Sequence, residues 1–433
     1  MNSAHAVVLG AGIGGLCAAR VAAEHYDRVT VVDRDMLSET AEPRRGVPQG
    51  EHAHDLLAGG QQAVEELFPG IMDELVAAGA PRGDLSRNVR WIFGGRPFAK
   101  GDSGLPVVAS SRPFREFRIR ERVRALPQVE LWTGTNILRL TTGADQREVT
   151  GVRVLRDGVE QELAADVVLD TTGRGSRTPA WLAELGYPRV AEEKHRIDVG
   201  YVTFYCRTPE DALGDDIVIN TVAGPDNPTG GSLQRVDGGR VIATAYGVLG
   251  GAPPTDFDGF REFCKKFAAP DMYEVLEVSE PISGPMRYRY PANLRRHYQR
   301  MTDFPAGLLV LGDAVCSFNP VYGHGMSVAA MGARVLRRHL GAGRPDAAAF
   351  FAELAAEVVD GVWEMAITSD LSLPGVPGER PAELMQIIEH VGHLQDAAHE
   401  NAEVAIACLR VFGLVDPLPA LMDPALLAHL QPT

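Results

Sequence analysis

Three glycines at fixed spacing, Gly10-x-Gly12-x-x-Gly15, follow the β-branched run HAVVL at 5–9, and a carboxylate, Asp33, closes the next such run. This arrangement can grip a dinucleotide. Gly10 permits a tight turn, Gly12 lets a pyrophosphate approach bare backbone, and Gly15 lets the following helix pack closely on the strand. Ile13 and Gly14 complete the cradle, and Arg34 stands beside the acid. The helix start adds unpaired N–H groups and a partial positive charge toward the phosphates. Asp33 is placed to accept hydrogen bonds from a ribose diol. The fingerprint by itself leaves both FAD and NAD open.

A second segment narrows the choice. The apolar run GLLVL at 307–311 ends in Gly312-Asp313, and a loop with Pro320, Gly323, His324, Gly325 and Met326 leads into a helix expected to begin only after Gly325. Unpaired N–H groups at that helix start suit an anion, such as the N1–O2 edge of a reduced flavin. The middle segment Gly173-Arg174-Gly175 lacks a third glycine and a helix–strand sequel, so no second dinucleotide unit is expected. Reducing equivalents then come from NAD(P)H bound transiently or from a separate flavin reductase. His52 and His54 are discounted as metal ligands, because positions i and i+2 on a helix face apart and no Cys or carboxylate cluster completes a shell. Cys316 has no base partner and no Ser-His-Asp set exists, so no catalytic side chain is identified.

These residues need elements to hold them. Residues 5–33 read as strand, helix, strand, with Leu16, Ala19 and Ala23 on one helical stripe. Arg112 precedes a helical FREFRIRERVRAL, and a meander over 129–169 ends in the strand ADVVLD, which delivers Thr172-Gly173 back to the first glycine turn. From about 190 to 290 strands alternate, interrupted by one helix near 257–268. A sheet of that size is the natural wall of a substrate cavity, with one or two of Phe204, Tyr205, Tyr246, Tyr288 and Tyr290 lining it. Beyond 341 the chain is Ala/Leu/Glu-rich and helical. The expected class is α/β: a discontinuous Rossmann-type FAD-binding domain (1–87, 107–189, 291–340), a β-sheet substrate domain (88–106, 190–290) and a C-terminal helical region (341–433).

Composition excludes several alternatives. The chain has 433 residues, 45% hydrophobic and 23% charged, as a globular protein does. With 42 Lys+Arg against 57 Asp+Glu its net charge is −15, which repels phosphate backbones and argues against nucleic acid. No apolar stretch reaches the ~20 residues of a bilayer span, and the N-terminus runs into a strand rather than a cleavable leader. Five scattered cysteines fit free thiols in a reducing compartment. A cytoplasmic protein is expected.

The three segments together, Gly10/Gly12/Gly15 with Asp33, DTTGRGSRTPAWL at 170–182 and LGDAVCSFNPVYGHGM at 311–326, resemble the FAD-dependent monooxygenases of the para-hydroxybenzoate hydroxylase fold. More narrowly, RRGVPQGEHAHDLLAGG at 44–60, DTTGRGSRTPAWLAELGYP at 170–188 and the late DLSLPGVPGERP and LVDPLPALMDP resemble the actinomycete epoxidase-like branch of polyether biosynthesis. The resemblance implies that Asp33 holds the adenosine ribose, that Arg44 and Arg112 face the pyrophosphate or ribityl region, and that Asp313 binds the ribityl or pyrophosphate part. Pro320 and the Gly323–Met326 turn would line the isoalloxazine ring. Two positions depart from the family pattern: Thr172-Gly173 stands where an Asp-Gly pair is common, and His324 where Gln is common, either tuning the flavin or capping the loop. Halogenases of this fold carry paired tryptophans and a reactive lysine; Trp91 stands alone, which argues against halogenation.

The implied activity is insertion of one oxygen atom from O2, via a flavin C4a-hydroperoxide, into an apolar natural product of secondary metabolism. Alkene epoxidation needs no side-chain base, whereas aromatic hydroxylation calls for a phenolate and hence a base or relay that no motif reveals. The alternatives are an FAD-dependent reductase of isoprenoid double bonds and a non-enzymatic flavin carrier. No motif specifies substrate identity, a reductase partner or oligomeric state.

Overall fold

The computed structural model describes residues 4–430. Its first layer is a five-stranded parallel sheet in the order Leu308–Val310, Val167–Asp170, His5–Leu9, Arg28–Val32, Val129–Trp132. Most of these residues are Val or Leu, buried on both faces, as a sheet covered on both sides requires. The helix Ile13–Ala22 lies on it and starts on Gly12. Gly10 takes a left-handed φ of 97°, and a Cβ there would stand 2.9 Å from the Thr171 carbonyl oxygen. A Cβ on Gly15 would stand 1.8 Å from the Gly10 carbonyl oxygen. The turn is therefore closed to side chains at both points.

Strand order decides the site. In a parallel sheet all strands leave by the same edge, and Val310 pairs with Asp170, which pairs with Leu9. The three exits Gly10, Thr172-Gly173 and Gly312-Asp313 are thus neighbours at the carboxyl ends of adjacent strands, where ligands of open α/β sheets bind.

The second layer is a nine-stranded mixed sheet. Its path runs Cys316–Ser317, Met286–Arg296, Glu192–Arg207, Arg240–Gly247, Thr229–Val236, Val218–Thr221, Val89–Phe93, Arg96–Pro97, with Glu280–Pro281 pairing on the third strand. The two residues Cys316 and Ser317 join it directly after the Gly312-Asp313 turn, so one short segment stitches the two sheets together beside the glycine exits. Two helices, Phe257–Cys264 and Asp271–Glu277, cover this sheet where the sequence suggested one. Pro270 lies between them, and proline restricts the residue before it away from helix.

The chain after 341 is helical: Ala347–Leu354 and Asp360–Ser372, joined by a π-helical turn at Ala355–Val359, then Ala382–Ala398 and Ala402–Phe412. Leu394, Ala398, Cys408 and Leu409 form an apolar cluster with Leu85, Phe98 and Leu105, which ties this end of the chain to the segment feeding the mixed sheet. No helix among the described residues is long and apolar enough to cross a membrane.

Candidate functional site

One cavity of about 1280 Å3 opens between the sheets. At one end it is walled by Gly10, Gly12, Ile13, Gly14, Asp33 and Arg34; in its middle by Arg44, Arg112, Thr172, Gly173, Gly312 and Asp313. The loop residues Pro320, Gly323, His324, Gly325 and Met326 continue it. Gly15 is not on the wall; it packs under the Gly10 turn. All the other residues singled out from the sequence for cofactor binding meet in this one space.

The charges at the glycine end form a network. Arg44 Nε donates to Glu116 at 2.7 Å, and its Nη1 donates to Asp35 at 3.0 Å and Asp33 at 3.2 Å. Burial works against the Arg44 charge, but Glu116 and Asp33 outweigh it and its pKa is raised. Its remaining nitrogen faces the opening above Gly12, where a Cβ would find only Arg44 Nη2, at 3.6 Å. Asp33 is occupied in part by the protein: Oδ2 accepts the Ala11 N–H at 2.6 Å and Oδ1 the Asp35 N–H at 2.9 Å. Oδ2 also takes the Arg44 bond and is filled, whereas Oδ1 retains a lone pair for a further donor.

Arg112 opens the helix Arg112–Arg124, whose N-cap is Ser111. Its Nε is buried without a hydrogen-bond partner, and the Glu116 carboxylate approaches only to 3.8 Å. Burial lowers its pKa more than Glu116 and Asp313 restore it. A buried guanidinium short of anionic partners is a place for a phosphate. Asp313 is its counterpart, with its carboxyl raised by burial against the opposing pull of Arg112 and Arg174.

Arg174, which the sequence reading passed over, also lines the cavity. It donates to Tyr290 Oη at 3.1 Å and Ser317 Oγ at 3.2 Å, and its guanidinium lies over the Tyr290 ring, 4.9 Å from the centroid. Its signal was its position directly after Gly173 at a strand exit. Of the five aromatics considered, Tyr246, Tyr288 and Tyr290 reach the cavity together with the unremarked Tyr201; Phe204 and Tyr205 do not.

The second loop differs from expectation in where its helix starts. The helix runs His324–Gly341, beginning one residue before Gly325, because Gly323 adopts a left-handed φ of 68° and serves as the cap. His324 is 4% exposed and its Nδ1 has no partner. Phe318 and Tyr322 pack against the ring at centroid distances of 5.7 and 5.6 Å, and burial lowers its pKa to about 3, so it is neutral. The loop is braced from behind by Asp370, a buried carboxylate on the helix Asp360–Ser372. Asp370 accepts from Tyr322 Oη at 2.7 Å, Asn319 Nδ2 at 2.8 Å and Asn293 Nδ2.

His52 and His54 follow a short 3-10 turn, Pro48–Glu51, rather than sharing a helix. His52 is packed edge-on against Tyr201, ring centroids 4.5 Å apart, and its Nδ1 bonds Thr203 Oγ1 at 2.8 Å. His54 lines the cavity. Among the described residues no group of three or more His, Cys, Asp or Glu could hold a metal ion.

No protein-family model matches the chain. It is 34% identical over 438 residues to protein Rv3254 of Mycobacterium tuberculosis, across 96% of this chain and 90% of that protein. Among solved structures it is similar to a triple mutant of the flavin-dependent brominase Bmp2, with a TM-score of 0.67 and 15% identity over 98% of this chain and 97% of the other. It is also similar to p-nitrophenol 4-monooxygenase PnpA of Pseudomonas putida, with a TM-score of 0.65 and 16% identity over 96% and 99% of the two chains. The fold is that of the FAD-dependent monooxygenases and flavin-dependent halogenases.

Proposed function

Because the chain belongs to the family of the mycobacterial protein Rv3254 and has the fold of the FAD-dependent monooxygenases, we propose that it is an FAD-dependent monooxygenase acting on a largely apolar small molecule. The observation that carries this is the adjacency of three glycine-bearing strand ends, Gly10, Gly173 and Gly312, on one cavity.

The residues present fit FAD. The open space at Gly12, where a Cβ would meet only Arg44, admits a pyrophosphate. The unpartnered Arg112 Nε supplies a charge for it, and Asp33 Oδ1 has a lone pair left for the adenosine ribose. At Gly173 and Gly325 a Cβ would meet only Asp313, at 4.0 and 3.5 Å, which leaves room for a flat ring and its ribityl chain. Bound there, FAD would supply the activation of O2 and the electrophilic oxygen that side chains lack.

The work left to the chain is orientation, charge and exclusion of water. Arg112 and Arg174 balance negative charge in a buried space. The Asp370 brace fixes Asn319 and Tyr322, so the loop before the helix His324–Gly341 is rigid. The start of that helix presents unpaired N–H groups to an anionic ring edge. Tyr201, Tyr246 and Tyr288 give the mixed sheet an aromatic face. Alkene epoxidation in secondary metabolism, suggested by the motif at 44–60, is one form of this activity and aromatic hydroxylation the other. Electrons come from NAD(P)H or a reductase partner, in a reducing compartment that suits five free, buried thiols.

The test is reconstitution with FAD, reduction with dithionite, and exposure to labelled O2 with a panel of alkenes and phenols, read by mass spectrometry. Incorporation of one labelled atom is expected. Product formed under strict anaerobiosis would establish a double-bond reductase instead. Bound FAD with no substrate-stimulated O2 uptake would leave a flavin carrier, and a protein that stays colourless with FAD would refute the proposal.

A further inference from the structure

The sheet wall of the cavity is not uniformly apolar. Strand register sets Asn220 opposite Ser232, Ser232 opposite Thr244 and Thr244 opposite Thr203, a polar row across four strands. Residues two apart on a strand share a face, so Gln234 stands beside Ser232 on that same face. Asn220, Ser232, Gln234 and Thr244 all reach the cavity.

Ser232 Oγ is buried with no hydrogen-bond partner, and so is Thr221 Oγ1 on the neighbouring strand. Across from the row stands Asp55, also on the wall. Its Oδ1 accepts from Gln234 Nε2, and among the described residues it forms no salt bridge. Asp55 is half-buried and has one neutral donor, so its other lone pairs are open to a ligand in the cavity. The serine hydroxyl on the same wall, buried and unpartnered, is the group that lacks the hydrogen bond burial ordinarily demands.

We propose that Asp55, Gln234 and Ser232 form a subsite for a hydroxyl group of the substrate, which is therefore a phenol or other hydrogen-bond donor on an otherwise apolar ring system rather than a plain hydrocarbon. The inference rests on the reading that this cavity takes the substrate of a monooxygenase.

Donor and acceptor roles select the ligand. Gln234 turns its amide nitrogen to Asp55, so its carbonyl oxygen and the carboxylate both offer acceptors, and a hydroxyl supplies the missing donor. A ligand carboxylate would meet Asp55 charge against charge. Burial raises the Asp55 carboxyl against the pull of Arg115, which makes it a stronger acceptor than an exposed aspartate. The subsite also lies beside the second glycine loop, with Asp55 Cβ only 3.2 Å from where a Cβ on Gly323 would stand. The hydroxylated end of the substrate is thus held next to the loop proposed to line the flavin. Hydrogen bonding from a phenol O–H to a carboxylate puts electron density into its ring, the condition that aromatic oxygenation needs and that no sequence motif had supplied.

The test measures binding of 1-naphthol, 1-methoxynaphthalene and 1-naphthoate by calorimetry, to the FAD-loaded protein and to Asp55→Asn and Asp55→Leu. The wild type is expected to bind 1-naphthol about tenfold or more tighter than its methyl ether, because a buried site built for a hydroxyl discriminates strongly against its loss. Both variants should bring that ratio near one while FAD affinity and circular dichroism stay unchanged. Ser232→Ala, a milder change that keeps the charge, should lower the ratio part way. No naphthol preference in the wild type, no binding of either compound, tighter binding of naphthoate, or a preference that survives in the Asp55 variants would each overturn the proposal. Should FAD itself fail to bind, the monooxygenase reading falls, whereas the naphthol preference measured on the same protein still decides the subsite.

Discussion

Arg112 is the residue at which the charge arithmetic is least complete. Its Nε is buried and unpaired, and its nearest carboxylate is at 3.8 Å. Filling that gap with a pyrophosphate oxygen is worth roughly 1.5–3 kcal/mol for a charge-assisted hydrogen bond. Arg112→Ala is therefore expected to weaken FAD affinity by one to two orders of magnitude, read by the return of flavin fluorescence on dilution. Unchanged affinity would remove Arg112 from the site. His324 gives a second prediction, with a definite sign. Its ring is held neutral down to about pH 3, whereas a free imidazole gains its proton near 6.5. The unfolded chain then binds more protons, so this ring's contribution to stability is intact above 6.5 and is lost as pH falls toward 3. Asp55, Asp313 and Asp370, all raised by burial, act with the opposite sign as pH rises above 3.8. Comparison with His324→Gln cancels them. Between pH 7 and 5 the variant should gain about 2 kcal/mol on the wild type in urea unfolding, from 1.5 pH units on one site. A pH-independent difference would contradict it. Legibility at this scale follows from physics. Glycine turns are readable because a missing Cβ is a local backbone statement, but Asp55 acquires its meaning from Gln234, 179 residues later.

The elements show where local pattern suffices and where it fails. The parallel strands and the Ile13–Ala22 helix follow from runs of Val, Leu and Ala with the right periods. The two misses, the helix starting at His324 and the second helix Asp271–Glu277, turn on a capping conformation and on an element of seven residues, too short to show a clear period. The Asp360–Ser372 helix carried no functional signal, since a lone Asp in a helix ordinarily reads as solvated. In the fold that Asp370 is 2% exposed and receives three donors from Asn293, Asn319 and Tyr322. It is the polar link between the C-terminal helices and the loop at the cavity, beside the apolar contact of Phe318 with Trp363. Asp370→Asn replaces an acceptor with a group that must turn an N–H₂ toward other donors, and a broken buried network of this kind costs about 3 kcal/mol or more. The expected result is a lower thermal midpoint together with weaker quenching of bound flavin, as the loop loses its brace. A lower midpoint with fully quenched flavin would show that Asp370 stabilises the helix packing alone.

At the scale of the whole molecule, the cavity is a joint product of segments that the sequence separates by hundreds of residues. Convergence of Gly10, Gly173 and Gly312 follows from strand order, and could be argued beforehand because parallel strands share one exit edge. Its roof could not be, because it is the docking of Ala382–Ala398 against the far end of the mixed sheet. That helix is anchored through Leu394 and Ala398, while Ile387, Ile388, Val391 and Gly392 line the cavity. The proposed division of labour is that the glycine edge holds the cofactor and the roof bounds the substrate. Gly392 allows the two ends to be tested separately. It lies inside a helix, a Cβ there would meet nothing within 4 Å, and its backbone needs no glycine conformation. Gly392→Trp can therefore project an indole into the cavity without displacing the helix. Affinity for 1-naphthol is expected to fall at least tenfold while FAD affinity and thermal midpoint hold within error, because the bulk enters only the roofed end. An equal loss of FAD would mean that the cofactor extends under the C-terminal helices, and the assignment of the two ends would have to be reversed.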